Sequence, residues 1–119
     1  MQIQINTDHN IKGHEALAAQ VRGVVESALS HLSDHITRVE VHLSDESSHK
    51  TSQNDKRCMM EARLEGRQPI AVTDEEATVA QAVDGAAGKL ARLIESTLGR
   101  QRVERSHRTD PPPPRSVSN

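Results

Sequence analysis

The chain has 119 residues, a length that fits one folded domain with a single core. It contains no Phe, Tyr or Trp, so the core must come from Val, Ile, Leu, Ala and Met, and nucleic-acid binding by stacking of bases on aromatic rings is excluded. The formal charge of −2 is unevenly spread: residues 1–99 carry 10 Lys/Arg and 15 Asp/Glu, whereas residues 100–119 carry five Arg and two acids. A nucleic-acid partner would therefore have to meet local basic patches.

Cysteine content and the N-terminal pattern indicate the cellular compartment. Cys58 is the only cysteine, which excludes an internal disulfide and a metal cluster held by several thiolates. It lies in an alternating apolar pattern, and we interpret it as a small buried residue. The opening residues, MQIQIN, alternate as a strand does and lack the basic and apolar parts of a signal peptide. No apolar run reaches membrane-spanning length, so we expect a cytoplasmic protein without a membrane partner.

The first half of the chain predicts a strand, a helix and a second strand. Residues 2–6 alternate, with Ile3 and Ile5 on one face. Residues 14–32 have helical periodicity, and their apolar stripe consists of Leu17, Val21, Val24, Val25, Ala28 and Leu32. The strand predicted at 36–44 has one apolar face, made of Val39, Val41 and Leu43, and one polar face, made of Arg38, Glu40 and His42.

The second half predicts two further strands, a long helix and a tail. After a polar loop at 45–54, residues 56–65 alternate, with an apolar face made of Cys58, Met60, Ala62 and Leu64. A turn at 66–69 precedes a short strand with Ile70 and Val72. The run Thr73-Asp74-Glu75-Glu76 has capping-box spacing and predicts the start of the second helix. The apolar stripe of this helix consists of Val79, Ala82, Val83, Ala86, Leu90, Leu93 and Ile94.

We expect this helix to end near Leu98, because Gly99 is a typical C-terminal stop. The Arg- and Pro-rich residues 100–119 are then predicted to form a disordered tail after a domain at residues 1–99. The order β-α-β-β-β-α predicts an α+β fold, a two-layer sandwich in which two helices cover one face of a four-stranded sheet. The other face should stay uncovered and carry Arg38, Glu40, His42, Glu61 and Arg63.

No motif in the chain predicts catalysis or a cofactor. His31 and His35 have the i, i+4 spacing of a metal-binding pair, but His35 falls beyond the predicted helix end and no HExxH pattern is present. We interpret the histidines as solvated surface residues. Because Cys58 points into the predicted core, a Cys–His nucleophile is not expected either. The sequence therefore favours a binding protein, not an enzyme, with no metal or cofactor.

The second helix sorts its charges by sign on either side of its apolar stripe. At about 100° per residue, one flank contains Gly85, Gly88, Lys89, Arg92, Ser96 and Arg100. Asp84 and Glu95 lie on the opposite flank. Small and basic residues on one flank would let a phosphate backbone approach closely. The alternative interpretation is an ordinary solvated face that contains weak helix formers.

The run Ala82-Val83-Asp84-Gly85, followed by Lys89-Leu90-Ala91-Arg92, resembles the characteristic helix of the bacterial ribosome hibernation promoting factors, also called ribosome-associated inhibitor proteins. The strand MQIQIN, the helix start Glu15-Ala16-Leu17, the strand Val39-Glu40-Val41 and the strand Ile70 to Thr73 occur in matching order, so the resemblance covers residues 1–100. It implies the same sandwich fold. It also implies a short-form member, without the additional C-terminal domain through which long-form members pair ribosomes.

The resemblance implies a function and a set of site residues. Members of the family bind the small ribosomal subunit over the decoding region and silence translation in stationary phase or stress. Carried over by position, Lys89 and Arg92, with Arg22 as a weaker match, would contact phosphates of ribosomal RNA. Charge and expected proximity add Lys56, Arg57 and Arg100 to these RNA-binding candidates. We expect a monomer that does not bind DNA. The acidic domain leaves an alternative open, a divergent relative that binds a protein or another RNA.

Overall fold

The structure, a computed structural model, describes residues 1–8, 11, 14–46 and 54–109, with side chains as far as Gly99. Its strands are β1 (Gln2–Thr7), β2 (Ile36–Asp45), β3 (Lys56–Leu64) and β4 (Ile70–Glu76), and its helices are α1 (His14–Leu29) and α2 (Val79–Thr109). A 3-10 turn, Ser30–His35, joins α1 to β2. None of the helices in the described ranges is long and apolar enough to span a membrane.

The four strands form one mixed sheet in the order β1-β2-β3-β4. β1 runs parallel to β2, and α1 provides the crossover that a parallel connection requires. β2 and β3 pair antiparallel, as do β3 and β4. α2 packs on β3 and β4 and also contacts α1. The predicted α+β class and the element order β-α-β-β-β-α are thus confirmed.

Alternation in β2 and β3 decides which face of the sheet the helices cover. Val39, Val41, Cys58, Met60 and Ala62 have no exposed surface. The side chains predicted for the uncovered face all retain exposure, namely Arg38, Glu40, His42, Glu61 and Arg63. A shift of one residue in register would have exchanged the two sets, so the hydrophobic pattern fixes the register.

The helices complete a core that consists of aliphatic side chains, Met60 and Cys58. α1 contributes Val21, Val25 and Leu29, and Leu29 was not part of the predicted stripe. α2 contributes Ala82, Val83, Ala86, Ala87, Leu90 and Ile94. The prediction for Leu93 was wrong, because this side chain lies beside Val72 of the edge strand β4 and remains 43% exposed.

The predicted boundaries of α2 were wrong at both ends. Residues Thr73 to Glu76 belong to β4, where they pair with β3, so they do not cap a helix. The cap is Thr78, whose Oγ1 accepts a hydrogen bond of 3.1 Å from the amide of Gln81. At the other end the helix passes through Gly99 and continues to Thr109. A single internal glycine costs only about 1 kcal/mol, and the Arg, Gln and Glu that follow it are good helix formers.

The structure describes only the first part of the predicted tail. Its first residues continue the backbone of α2 as far as Thr109. Residues 110–119, which include the four prolines, lie outside the described residues, and their disorder stays a prediction.

Candidate nucleic-acid interface

The two flanks of α2 lie on different surfaces of the molecule. On one side, Lys89, Arg92 and Leu93 line a groove with Val72 of β4. On the other side, Asp84 lines the groove between α1 and α2. Glu95 also lies on that side, where its Oε2 is 2.6 Å from Nε2 of His31. The charge sorting read from the helical pattern therefore separates a basic flank beside β4 from an acidic flank beside α1.

Lys89 does not project freely from this basic flank. Its ammonium lies 2.8 Å from Oδ1 of Asp74 and donates a second hydrogen bond of 3.0 Å to the carbonyl oxygen of Thr73. The Asp74 side chain is only 9% exposed. Ile70, Val72 and Asp74 alternate along β4, so all three point toward α2. Lys89 is therefore the counter-ion of a buried carboxylate.

Gly85 leaves the space that this carboxylate occupies. A Cβ atom at position 85 would lie 2.7 Å from Cγ of Asp74 and closer still to its Oδ2. At Gly88, one turn later on the helix, an added Cβ would be 3.5 Å from Nη1 of Arg92, which is an ordinary contact. Gly85 is thus explained by the close approach of Asp74 and does not require a ligand.

Asp74 also affects two titratable neighbours. Protonated Glu76 donates a hydrogen bond to the Asp74 carboxyl, and this bond is the main reason that the pKa of Glu76 is raised. Asp74 Oδ2 is buried and accepts no hydrogen bond from an amide, hydroxyl or cationic group of the described residues. Cys58 lies opposite Asp74 in the strand register. Burial, with a smaller contribution from the Asp74 charge, raises the pKa of the Cys58 thiol to about 12.

Arg92 and Arg22 differ from Lys89 in having no carboxylate partner among the described residues. Both side chains are exposed, Arg92 on the basic flank of α2 and Arg22 on α1. Neither forms an ion pair with the described part of the chain. A guanidinium group that is exposed and unpaired is available to a phosphate, to which it can donate two parallel hydrogen bonds.

Of the remaining candidates, Lys56 and Arg57 have acidic partners, and the structure does not describe the side chain of Arg100. Lys56 is 2.6 Å from Asp55 and 3.5 Å from Asp45, and the hydrogen bond to Asp55 is the main reason that the pKa of Lys56 is raised. Arg57 points to the opposite face of the sheet, where its Nε is 3.8 Å from Glu75. The side chain of Arg100 lies outside the described residues. The structure thus brings Lys89 and Arg92 together but separates Lys56 from Arg57.

The uncovered face of the sheet is compensated in charge and forms no basic patch. Arg38 is 3.0 Å from Glu40, and Arg63 is 3.9 Å from Glu61. Within the ranges that the structure describes, no group of three or more His, Cys, Asp or Glu side chains could hold a metal ion. The basic flank of α2 is accordingly the better candidate for contact with a polyanion.

Comparison with known proteins places this arrangement in a family. The family model described as "Sigma 54 modulation protein / S30EA ribosomal protein" matches residues 4–102. The chain belongs to this family. The resemblance to the hibernation promoting factors is thereby confirmed, and membership supports a ribosome-associated function.

Two solved structures of similar fold accompany the family match. The N-terminal domain of Protein Y from Thermus thermophilus superimposes with a TM-score of 0.60 at 23% identity, over 82% of this chain and 99% of that chain. A ribosomal subunit interface protein from Coxiella burnetii gives a TM-score of 0.62 at 19% identity, over 83% of this chain and 99% of that chain. No curated protein matches the chain.

The residue that the sequence argument missed in this member of the family is Asp74. The capping-box spacing of Thr73 to Glu76 instead predicts a place for it in the first turn of the second helix. A signal was present, because Ile70, Val72 and Asp74 occupy every second position and therefore share a face of the strand. Extending the strand by this alternation would have placed an acid toward α2.

Proposed function

We propose that this member of the family is a cytoplasmic, ribosome-associated translation regulator that acts in stationary phase or stress. It binds the small ribosomal subunit near the decoding region as a monomer and contacts ribosomal RNA through the basic flank of α2. The observation that carries the proposal is Arg92, an exposed guanidinium with no ion-pair partner among the described residues. Family membership and the ribosomal names of the relatives support the same assignment.

The chemistry of this flank suits a phosphate backbone better than a base edge. Because the protein has no Phe, Tyr or Trp, it lacks the large rings on which RNA-binding domains most often stack bases, which favours recognition through phosphates and shape. Arg92 supplies the charge, and Gly88, one turn earlier, keeps the helix surface beside it low. Asp84 and Glu95 lie on the α1 side of α2, where Asp84 lines the groove between the helices and Oε2 of Glu95 is 2.6 Å from Nε2 of His31.

Sedimentation of a stationary-phase lysate through a sucrose gradient tests the proposal directly. The wild-type protein should travel with small subunits, and Arg92→Gln should move toward the top of the gradient. In binding assays with purified subunits, loss of this one contact should lower the log–log salt slope by about 0.7 to 0.9. Arg63→Gln is the matched control, because it removes the same charge from the compensated face, and it should bind as the wild type does. Equal binding of the Arg92 and Arg63 variants would refute the assignment of the flank.

A second candidate function is a module that binds a protein partner. Leu93 favours it, because a leucine that is 43% exposed next to Val72 offers apolar surface on the same flank. The acidic balance of residues 1–99 also weakens general attraction to RNA. If the wild-type protein stays at the top of the gradient together with Arg92→Gln, this second function takes first place.

A further inference from the structure

We propose that Asp74 withholds the charge of Lys89 from RNA, so that the basic flank binds one phosphate fewer than its sequence suggests. The inference rests on the proposed function and refines its site. Asp74 thereby lowers the affinity of the basic flank for RNA without contacting the RNA itself. It lies one layer below the surface, on β4, while Lys89 and Arg92 lie on the exposed helix above it.

Most of the hydrogen-bonding capacity of Lys89 is already used within the protein. An ammonium group has three N–H donors and no acceptor. Two of them are committed, to Oδ1 of Asp74 at 2.8 Å and to the carbonyl oxygen of Thr73 at 3.0 Å. The third donor belongs to a side chain that is 46% exposed, so a phosphate could reach it. It would meet a neutral ion pair there, however, and not a free cation.

Because Asp74 is buried, replacing the Asp74–Lys89 ion pair by a Lys89–phosphate contact is energetically unfavourable. Asp74 is too deeply buried for water to replace Lys89, and its Oδ2 already accepts no hydrogen bond from an amide, hydroxyl or cationic group of the described residues. If Lys89 left to follow a phosphate, the protein would retain an unpaired carboxylate in its interior, which is strongly unfavourable. The ammonium therefore stays with Asp74 when RNA approaches.

The carboxyl group of Glu76 adds to the neutralisation of the Lys89 charge. Glu76 lies two residues beyond Asp74 on the same face of β4 and shares a hydrogen bond with it. When Glu76 is ionised, the two carboxylates outnumber Lys89 at this point of the surface. Attraction of RNA to the flank then depends on Arg92.

The experiment measures binding to purified small subunits over a range of salt concentrations. Asp74→Asn keeps the size of the side chain but releases Lys89. We expect the log–log salt slope to rise by about 0.7 to 0.9, which corresponds to roughly fourfold tighter binding at about 0.15 M salt. The matched control is Asp84→Asn, which removes the same charge from the acidic flank and should leave the slope unchanged. The double variant Asp74→Asn/Lys89→Gln should return to the wild-type slope.

Several outcomes would overturn the inference, and they differ from failure of the proposed function. A slope for Asp74→Asn equal to that of the wild type, or equal rises for Asp74→Asn and Asp84→Asn, would show that Asp74 withholds nothing. Absence of wild-type binding would instead refute the function, and the inference with it. Asp74→Ala serves as the second variant, since it also releases Lys89 and leaves the space at Gly85 uncrowded.

A measurement without ribosomes tests the ion pair between Asp74 and Lys89 directly. Acetic anhydride acetylates exposed lysines, and mass spectrometry reports the extent at each site. Lys89 should react several times more slowly in the wild type than in Asp74→Asn, while Lys56, whose partners Asp45 and Asp55 are unchanged, should react equally in both. Equal rates at Lys89 would overturn the inference whatever the binding data are.

Discussion

Replacing Gly85 by alanine should destabilise the protein, although the same change inside most helices stabilises them. Alanine is favoured over glycine in a helix interior by about 1 kcal/mol. At position 85 the added Cβ would lie 2.7 Å from Cγ of Asp74, a distance that real Cβ atoms do not adopt. Either the buried carboxylate or the helix has to move, and in both cases the pairing of Asp74 with Lys89 is disturbed.

The size of the effect follows from these opposing contributions. Overpacking a buried site costs about 1 to 3 kcal/mol. Disturbing the partner of a buried polar group adds about 1 to 3 kcal/mol. After the helix-propensity gain of about 1 kcal/mol is subtracted, the net destabilisation is about 3 kcal/mol, the middle of a range of about 1 to 5 kcal/mol. For a domain of this size that lowers Tm by roughly 12 °C.

Two other helical glycines provide controls in thermal unfolding followed by circular dichroism. An added Cβ at Gly23 in α1 meets nothing within 4 Å, and one at Gly88 meets only Arg92 at 3.5 Å. Both alanine variants should therefore raise Tm by about 4 °C. The double variant Asp74→Ala/Gly85→Ala should be more stable than the sum of its single changes predicts, because Asp74→Ala removes the carboxyl group with which the Cβ added at position 85 collides. A rise in Tm for Gly85→Ala equal to that for Gly23→Ala would refute the argument.

Two further predictions concern titratable groups near Asp74. Because burial raises the pKa of Cys58 from 9.0 to about 12, the native thiol should react with Ellman's reagent about a thousandfold more slowly than the thiol of the unfolded chain, and equal rates would contradict its burial. Because the pKa of Glu76 is raised above its usual 4.5, the folded state holds this proton more tightly than the unfolded state, so stability falls as pH rises from about 4.5 through the raised pKa. Thermal unfolding of Glu76→Gln should show a Tm advantage over the wild type that grows across this window and then levels off. Glu75→Gln, which changes the neighbouring acid on the other face of β4, should show no such advantage.

The parts of the fold that the sequence predicted are those in which local pattern and tertiary packing agree. In β2 and β3 every second residue is apolar, and one face is covered by helices, so alternation alone identified Val41 and Met60 as buried. The stripe of α2 likewise identified Ala86, Leu90 and Ile94. Leu93 has the same chemistry and spacing but remains exposed beside Val72. Position relative to a sheet edge is not encoded in the periodicity of a helix.

The start of α2 was misplaced because two caps compete in the sequence. Thr73 to Glu76 and Thr78 to Gln81 both have the spacing Thr-x-x-Glu/Gln, which is typical of a capping box. Strand pairing decides between them, because β3 offers partners to residues as far as Glu76. In that pairing Glu75 lies opposite Arg57, and their side chains approach to 3.8 Å, a contact that no local rule includes.

The candidate site illustrates the same limit at the level of function. Gly85 and Lys89 were both interpreted as features of a phosphate-binding flank, since small and basic residues on one side of a helix suit that role. Both are instead tied to Asp74, which lies 11 positions before Gly85 in the sequence and meets it only after α2 packs on β4. A buried acid, a glycine and a lysine thus form one interdependent unit. Arg92 takes no part in that unit, and for this reason it is the residue on the flank whose charge we assign to RNA.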